Sequence, residues 1–308
     1  MSKVLVSEEN LTNIANAIRE KNGETTTYLP SEMATAIQEI SGGDEELEAS
    51  FMSSIDNTLG ANVTKLPSGL TSIRGYAFYR CSNLALTELP AGITSIGSNA
   101  FYSCPNLALT ELPAGITSIG SKTFSGCSNL ALTELPAGIT SISDYAFQYC
   151  NNLALTELPD GVTKLGKHCF SGCSKLALTE LPAGITSIQE QAFNGCENLT
   201  ISIIPEGVTF LWNAIFFNCY NITSLDILGN LTGINTNCFY GCSSLEKIVL
   251  SNVTKIPTLG SGVFSSTPIA SGTGYIYVPD TLVDSFKSAT NWSTYADQIK
   301  PISELEVA

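Results

Sequence analysis

Basic residues are scarce in this 308-residue chain: 14 Lys and Arg stand against 28 Asp and Glu, for a net charge of −14. Nucleic-acid binding draws on clustered cations that displace phosphate counterions, so that class of partner is set aside. Histidine is scarcer still, His168 being the only one. A Ser-His-Asp arrangement has then a single candidate base, and neither a Gly-x-Ser-x-Gly elbow nor a Ser-x-x-Lys context accompanies it. No apolar run reaches the length of a membrane span, and the first twenty residues carry acidic side chains where a signal peptide has its apolar core. Heptad runs and calcium-loop spacings are missing too. No catalytic, cofactor-binding or metal-ligating residue is assigned, and neither membrane insertion nor a nucleic-acid partner is expected.

What the chain has in abundance is repetition. Cys81, Cys104, Cys127, Cys150, Cys173, Cys196, Cys219 and Cys242 fall at a constant interval of 23 residues, each three residues after a phenylalanine from Phe78 to Phe239. A period of this length stacks one short coil on the next, each burying its apolar side against its neighbours. The ten cysteines are therefore read as an axial column of reduced, buried thiols, where Cys behaves as a small hydrophobe. Cys169 and Cys238 take the slot that Ala77, Ala100, Ala146 and Ala192 fill in other coils. Cys169 with Cys173 and Cys238 with Cys242 are too few ligands for a metal centre.

Other columns follow from the same alignment. Leu84, Leu86, Leu89, Ile93, Ile96 and Phe78, with their copies, have the spacing of short extended segments joined by turns and are expected to fill the interior. Pro90 and Gly92, repeated through Pro182 and Gly184, mark a corner. That glycine is expected at positive φ, a reading supported by Asn230 in the same slot. Asn83, Asn106, Asn129, Asn152, Asn198 and Asn221 sit two residues past Cys, placed for an amide ladder onto neighbouring turns.

The chain divides into four parts. Residues 1–43 read as a helical hairpin: Ser7 caps a helix with Leu11, Ile14 and Ile18 on one face, and Ser31 starts another with Met33, Ile37 and Ile40. Residues 44–57 form a capping helix with Leu47, Phe51 and Ile55 inward. The solenoid occupies 58–265, and 266–308 supply a C-terminal strand and helical cap in which Asp280 starts a helix bearing Leu282, Val283 and Phe286. The expected fold is a repeat solenoid, mainly β with irregular turns, a right-handed stack of coils with a short α-helical hairpin and helical caps.

The columns Cys-x-Asn-Leu, Leu-Pro-x-Gly-Ile-Thr-Ser-Ile-Gly and Ala-Phe-x-x-Cys resemble the 23-residue, BspA-like class of leucine-rich repeats over about two-thirds of the chain. The resemblance implies a noncatalytic surface or adhesive protein. In one respect the sequence departs from the family: the middle coils read Leu-Ala-Leu-Thr-Glu-Leu, whereas Leu245 to Leu250 keeps the usual apolar spacing, which leaves strand register open. The segments LTNIANAIREKNG and LPSEMATAIQEI, with the terminal GYIYVPDTLVDSFKSATNWSTYADQIKPISE, resemble flanking segments of prophage-encoded and tail-associated proteins of gut bacteria. That likeness implies a phage virion or bacterial surface location. The alternative is an intracellular bacterial protein–protein interaction module.

Two sets of exposed residues are candidates for contact. Residues just before and after Phe vary while the rest is copied, and the aromatics Tyr76, Tyr79, Tyr102, Tyr145, Tyr149 and Tyr240 collect there, suited to a protein or carbohydrate partner. Trp212 and Phe217 are read instead as covers for the Phe column. His168 lies in one of the variable slots and is read as exposed surface. Glu88, Glu111, Glu134, Glu157 and Glu180 form an acidic ladder. At about 5 Å between coils each neighbouring pair repels by roughly 0.8 kcal/mol in water, tolerable on a solvated face.

Overall fold

A coil of 23 residues must satisfy its backbone against the coils on either side, because nothing else lies within reach. The computed structural model describes residues 65–66 and 68–305, so the hairpin expected at 1–43, the capping helix at 44–57 and the start of the solenoid lie outside the described residues. From there on the chain is a parallel β-solenoid with little helix.

The Thr-Ser-Ile segments pair first. Strands β1 (Ser72–Ile73) and β2 (Ser95–Ile96) form one sheet, and β3 (Ser141–Ile142), β4 (Lys164–Leu165) and β5 (Ser187–Ile188) another. A bridge between Ile119 and Ile142 leads into the second of these. Register runs from each residue to its copy 23 positions on, as in Ser72 with Ser95 and Leu165 with Ile188. In the C-terminal half, β7 (Phe210–Leu211), β9 (Gly233–Ile234) and β11 (Thr258–Leu259) continue this face. Alternating with them, β6 (Ile203–Ile204), β8 (Ser224–Ile227), β10 (Lys247–Val249), β12 (Tyr275–Val278) and β13 (Ile299–Pro301) build a five-stranded parallel sheet on a second face.

That second sheet stops at β6, and the departure from the family's spacing explains why. A strand places residues of the same parity on one face. Leu225 and Ile227 of β8 obey this, both buried with Asp226 between them half-buried. In the middle coils Leu84 and Leu86 are two apart but Leu89 is three further on, so one strand cannot bury all three. The Thr-Glu pair is pushed outward, and a single backbone bond per coil survives there, such as Ala131 N–H to the Leu109 carbonyl at 3.0 Å. The interior is still filled: Leu107, Leu109, Ile116 and Ile119 are buried, as is Leu112.

Inside, the phenylalanines stack face to face from Phe78 to Phe264, with centroids 5.3 to 5.9 Å apart and planes within 10° of parallel. The cysteine column beside them does more than occupy volume. Each thiol from Cys104 to Cys242 at the 23-residue period donates to the carbonyl of the phenylalanine 26 residues earlier, at 2.8 to 3.1 Å. The Phe124 carbonyl thus accepts both the Cys127 N–H (3.0 Å) and the Cys150 thiol (3.0 Å). All ten cysteines are buried.

The expectation of positive φ at the Pro-x-Gly corner is overturned. Gly92, Gly115, Gly138, Gly161 and Gly184 are not left-handed, and neither is Asn230. The left-handed residues lie two before and two after each phenylalanine: Tyr76 and Arg80, Tyr145 and Tyr149, His168 and Gly172, Gln191 and Gly195. Between them the chain makes overlapping four-residue turns, while alternate N–H groups reach the next coil, as Tyr145 N–H does to the Lys167 carbonyl (2.7 Å) and Tyr149 N–H to Ser171 (2.7 Å). A non-glycine residue held there costs on the order of 1 kcal/mol. The cross-coil bond, repeated in every coil, offsets that cost. The asparagine ladder forms in part: Asn106 Nδ2 donates to the Ser82 carbonyl at 2.8 Å, and Asn221 reaches Asn198 at 3.5 Å.

The C-terminal segment combines a strand with short helices. After Phe264 the thiol slot is taken by buried Thr267, whose hydroxyl donates to the Phe264 carbonyl (2.7 Å) and caps helix α1 (Pro268–Ser271) through Ala270 N–H. A 3-10 turn over Asp280–Leu282 leads into α2 (Val283–Ser288), and Trp292–Gln298 is 3-10 throughout most of its length. Phe264, the last ring of the stack, meets Tyr295 edge-on at 5.2 Å. Trp292 is fully buried, edge-on to Phe286 at 4.9 Å, with its Nε1 donating to the Pro257 carbonyl at 2.8 Å.

Candidate functional site

The left-handed slots fix where the variable side chains point. A residue two before or two after phenylalanine has its N–H bonded to the next coil, as Tyr145 and Tyr149 do to Lys167 and Ser171, so its side chain projects from a fixed corner. The six candidate tyrosines fall into three clusters along the axis. Nearest the N-terminus, Tyr79 stacks on Tyr102 at 4.9 Å, with Tyr76 tilted against it at 5.4 Å and the Arg80 guanidinium over its ring at 5.2 Å. In the middle, Tyr145 stacks on His168 at 4.7 Å and carries the Lys122 ammonium at 5.3 Å. Tyr149 stands beside this group, 57% exposed, its ring lying across Gly172, where an added Cβ would come within 2.5 Å of it. In the third cluster Tyr240, 36% exposed, stacks on Phe217 at 4.8 Å.

His168 is half-buried in the middle cluster. Burial holds its imidazole below the ordinary range, opposed by the carboxylate of Glu190. Among the described residues no group of three His, Cys, Asp or Glu converges on a point, and no helix is long and apolar enough to cross a membrane.

The acidic ladder borders a trough. Where the Thr-Glu pairs bulge outward, Glu111, Glu134, Glu157 and Glu180 line a groove of about 1020 Å³ floored by the Leu-Pro-Ala columns of five coils. Glu88 lies beyond that lining and pairs with Lys65 at 2.6 Å. The trough exists only where the second sheet is missing, so its length is set by the number of Leu-x-Leu-x-x-Leu coils.

Two aromatic residues read as covers for the phenylalanine stack are placed otherwise. Phe217 packs on Tyr240 on the turn face. Trp212 is 41% exposed and packs edge-on against Phe210 at 4.9 Å, on the face of β7. The reason is parity: Leu211, between them, takes the inward position and is fully buried. The sequence does hold a signal for this pair, since Phe210 and Trp212 occupy columns that elsewhere carry Ser95, Ser141 and Ser187 or Gly97, Gly120 and Gly166.

Known proteins share this architecture. Among curated proteins no sequence matches. Of the solved structures, a leucine rich cell surface protein from Faecalibacterium prausnitzii is similar with a TM-score of 0.50 and 23% identity, over 67% of this chain and 64% of that one. The chain therefore spans less than two-thirds of that protein's length. A leucine rich repeat protein of T. pallidum aligns at 25% identity and a TM-score of 0.42, over 66% of this chain and 78% of the other. One from Bacteroides ovatus aligns at 20% identity and a TM-score of 0.40, over 78% and 84%. The model of the BspA type leucine rich repeat region, in six copies, matches residues 54–177 and 167–290. With its cysteine, phenylalanine and leucine columns in that order through nearly the whole of the described structure, the chain belongs to the BspA type leucine-rich repeat family.

Proposed function

We propose that this chain is a noncatalytic adhesive scaffold at a bacterial surface or on a phage tail, contacting a protein or carbohydrate partner through Tyr76, Tyr79, Tyr102, Tyr145, Tyr149 and Tyr240. One observation carries the reading. Coils that are near copies in their interior differ in the slots flanking phenylalanine, and tyrosine rings gather there, Tyr149 and Tyr240 exposed and the other four half-buried. Rigid aromatic rings give large contact area with little loss of rotamer freedom on binding. The Faecalibacterium protein is a cell surface protein, and the terminal segments resemble tail-associated proteins; both support the placement. The acidic ladder is a solvated face in this reading.

The test has two arms. Purified virions, envelopes and cytosol are searched for the chain by mass spectrometry; finding it in the cytosol alone overturns the proposal in favour of an intracellular interaction module. The purified protein is then titrated onto isolated envelopes. Tyr145→Ala combined with Tyr149→Ala should weaken binding at least about tenfold, and Glu134→Gln with Glu157→Gln should leave it unchanged. Equal binding by the tyrosine variant counts against the turn face.

A further inference from the structure

From the surroundings of Trp212 we infer a carbohydrate-binding subsite on the face of β7, centred on the Phe210–Trp212 pair. The inference rests on the scaffold reading above and names a ligand class that the turn face leaves open. On this face no other coil presents a ring: the Phe210 column otherwise holds Ser, Lys164 and Gly233, and the Trp212 column holds Gly, Ser143, Arg74, Gln189 and Asn235. Leaving an indole 41% exposed forfeits burial that a chain with Ser or Gly in the same column would never have needed.

The setting of the ring decides between ligand classes. A hot spot for protein is normally enclosed by further apolar groups that exclude water. Trp212 is in contact with one other ring, Phe210, and its remaining named neighbours are polar. Along the axis its column neighbours are Gln189, 23 residues before, and Asn235, 23 residues after; β7 and β9 pair in register so that Asn235 follows Ile234 just as Trp212 follows Leu211. Beside it, Asn213 Nδ2 bonds Glu190 Oε1 at 3.3 Å, and Gln189 Nε2 is held by Ser187 Oγ at 2.6 Å. Thr186, Thr209 and Thr232, each one residue before a strand of this stack, are exposed.

A flat apolar ring framed by amides, a carboxylate and hydroxyls matches a pyranose. The sugar's C–H face lies on the indole, and its equatorial hydroxyls, each a donor and an acceptor, bond the surrounding polar groups. Phe210 sets the angle of the platform. Its ring lies across Gly233, where a Cβ would come within 2.7 Å, so the glycine leaves room for Phe210 to brace the edge of the Trp212 ring, inclined to it at 63°.

The chain has two tryptophans, one exposed and the other, Trp292, sealed in the C-terminal cap, which gives fluorescence an internal reference. The probes are β-1,4-linked hexasaccharides of N-acetylglucosamine, glucose, xylose and mannose, each titrated to about 5 mM, which fills about five-sixths of a site with a Kd near 1 mM. At least one should shift the Trp212 emission and leave that of Trp292 unmoved. Trp212→Ala should abolish the response, Trp212→Phe should keep part of it, and Asn213→Ala should weaken it severalfold, while Tyr149→Ala keeps it whole. The inference is overturned if no saccharide of the panel responds, or if the response survives in Trp212→Ala. It is also overturned if Trp212 responds only to a protease-sensitive envelope component, which makes the face a protein interface. Envelope binding by the unaltered protein with no saccharide response sinks this inference alone, whereas no envelope binding by any form sinks the scaffold.

Discussion

Alkaline pH should unfold this array, and the cysteine column sets how steeply. Burial raises the thiols of Cys127, Cys150, Cys169, Cys173, Cys196, Cys219, Cys238 and Cys242, Cys127 and Cys242 to about 12 and the others further or well above their ordinary value of 9.0. In the unfolded chain these thiols ionise near 9, while in the folded chain they stay protonated, so above pH 9 the unfolded state binds fewer protons and stability falls as pH rises. While the folded value remains above about 11, the loss depends only on the unfolded one. It is about 0.4 kcal/mol per thiol at pH 9 and about 1.4 at pH 10, which over eight thiols makes roughly 3 and roughly 11 kcal/mol. Domains are commonly stable by about 5–15 kcal/mol, so most of that margin is gone by pH 10. Guanidinium denaturation followed by circular dichroism, with a reductant present, from pH 7.5 to 10, measures the slope. Cys169→Ala with Cys238→Ala supplies the control, because Ala77, Ala100, Ala146 and Ala192 already occupy that slot. The double variant should cost little at pH 7.5 and reduce the alkaline loss by about a quarter. A midpoint that stays level to pH 10, or a slope indifferent to the double variant, refutes the reasoning.

Further predictions concern the stack, the corners and the histidine. Phe147→Ala, which empties a place between rings at 5.5 and 5.6 Å, should cost about 3–5 kcal/mol; since coils contact only neighbours, peptide-level thiol labelling should rise at Cys127, Cys150 and Cys173 before Cys242, and uniform labelling would contradict this. Gly172→Ala, at φ +77° with its Cβ driven into Tyr149, should destabilise by at least about 1 kcal/mol. Gly184→Ala, with no neighbour closer than 3.8 Å, should be neutral or stabilising by up to about 1 kcal/mol, the reverse of what a left-handed corner would give. His168, whose imidazole burial favours the neutral form, should titrate below 6.5 by NMR. Its contribution is therefore complete above pH 6.5 and declines as pH falls from there toward the lowered value; His168→Gln should remove that dependence, and a midpoint at or above 6.5 would contradict the burial.

The interior was legible because its columns are set by burial, which acts on residue type. Leu84, Ile93, Cys150 and Phe147 recur since each copy meets the same neighbours. Backbone conformation was not legible in that way. Glycine at Pro-x-Gly resembled a left-handed corner, yet the left-handed slots hold Tyr145, His168 and Gln191 because cross-coil bonds stabilise them whatever the side chain. The informative glycines were Gly126, Gly172, Gly195 and Gly241, all two residues past phenylalanine. The trough escaped sequence reading for another reason. It comes from a break in strand parity between Leu86 and Leu89, whose effect on the fold depends on which neighbouring coils share it. Trp212 was misjudged by proximity to Leu211 in sequence, where a two-residue strand sends adjacent side chains to opposite faces.

Bonds between coils in this molecule mostly reach 22, 23, 24 or 26 residues along the chain, and few of these depend on which copy of the coil they join. The stack is consequently graduated like a ruler. Insertion or deletion of one 23-residue unit among the middle copies would move the tyrosine clusters apart or together by one strand spacing, about 4.8 Å, and leave the sealed C-terminal end untouched. The separation between contact points thus changes only in whole divisions, which makes reach a property the array can alter without redesigning any surface.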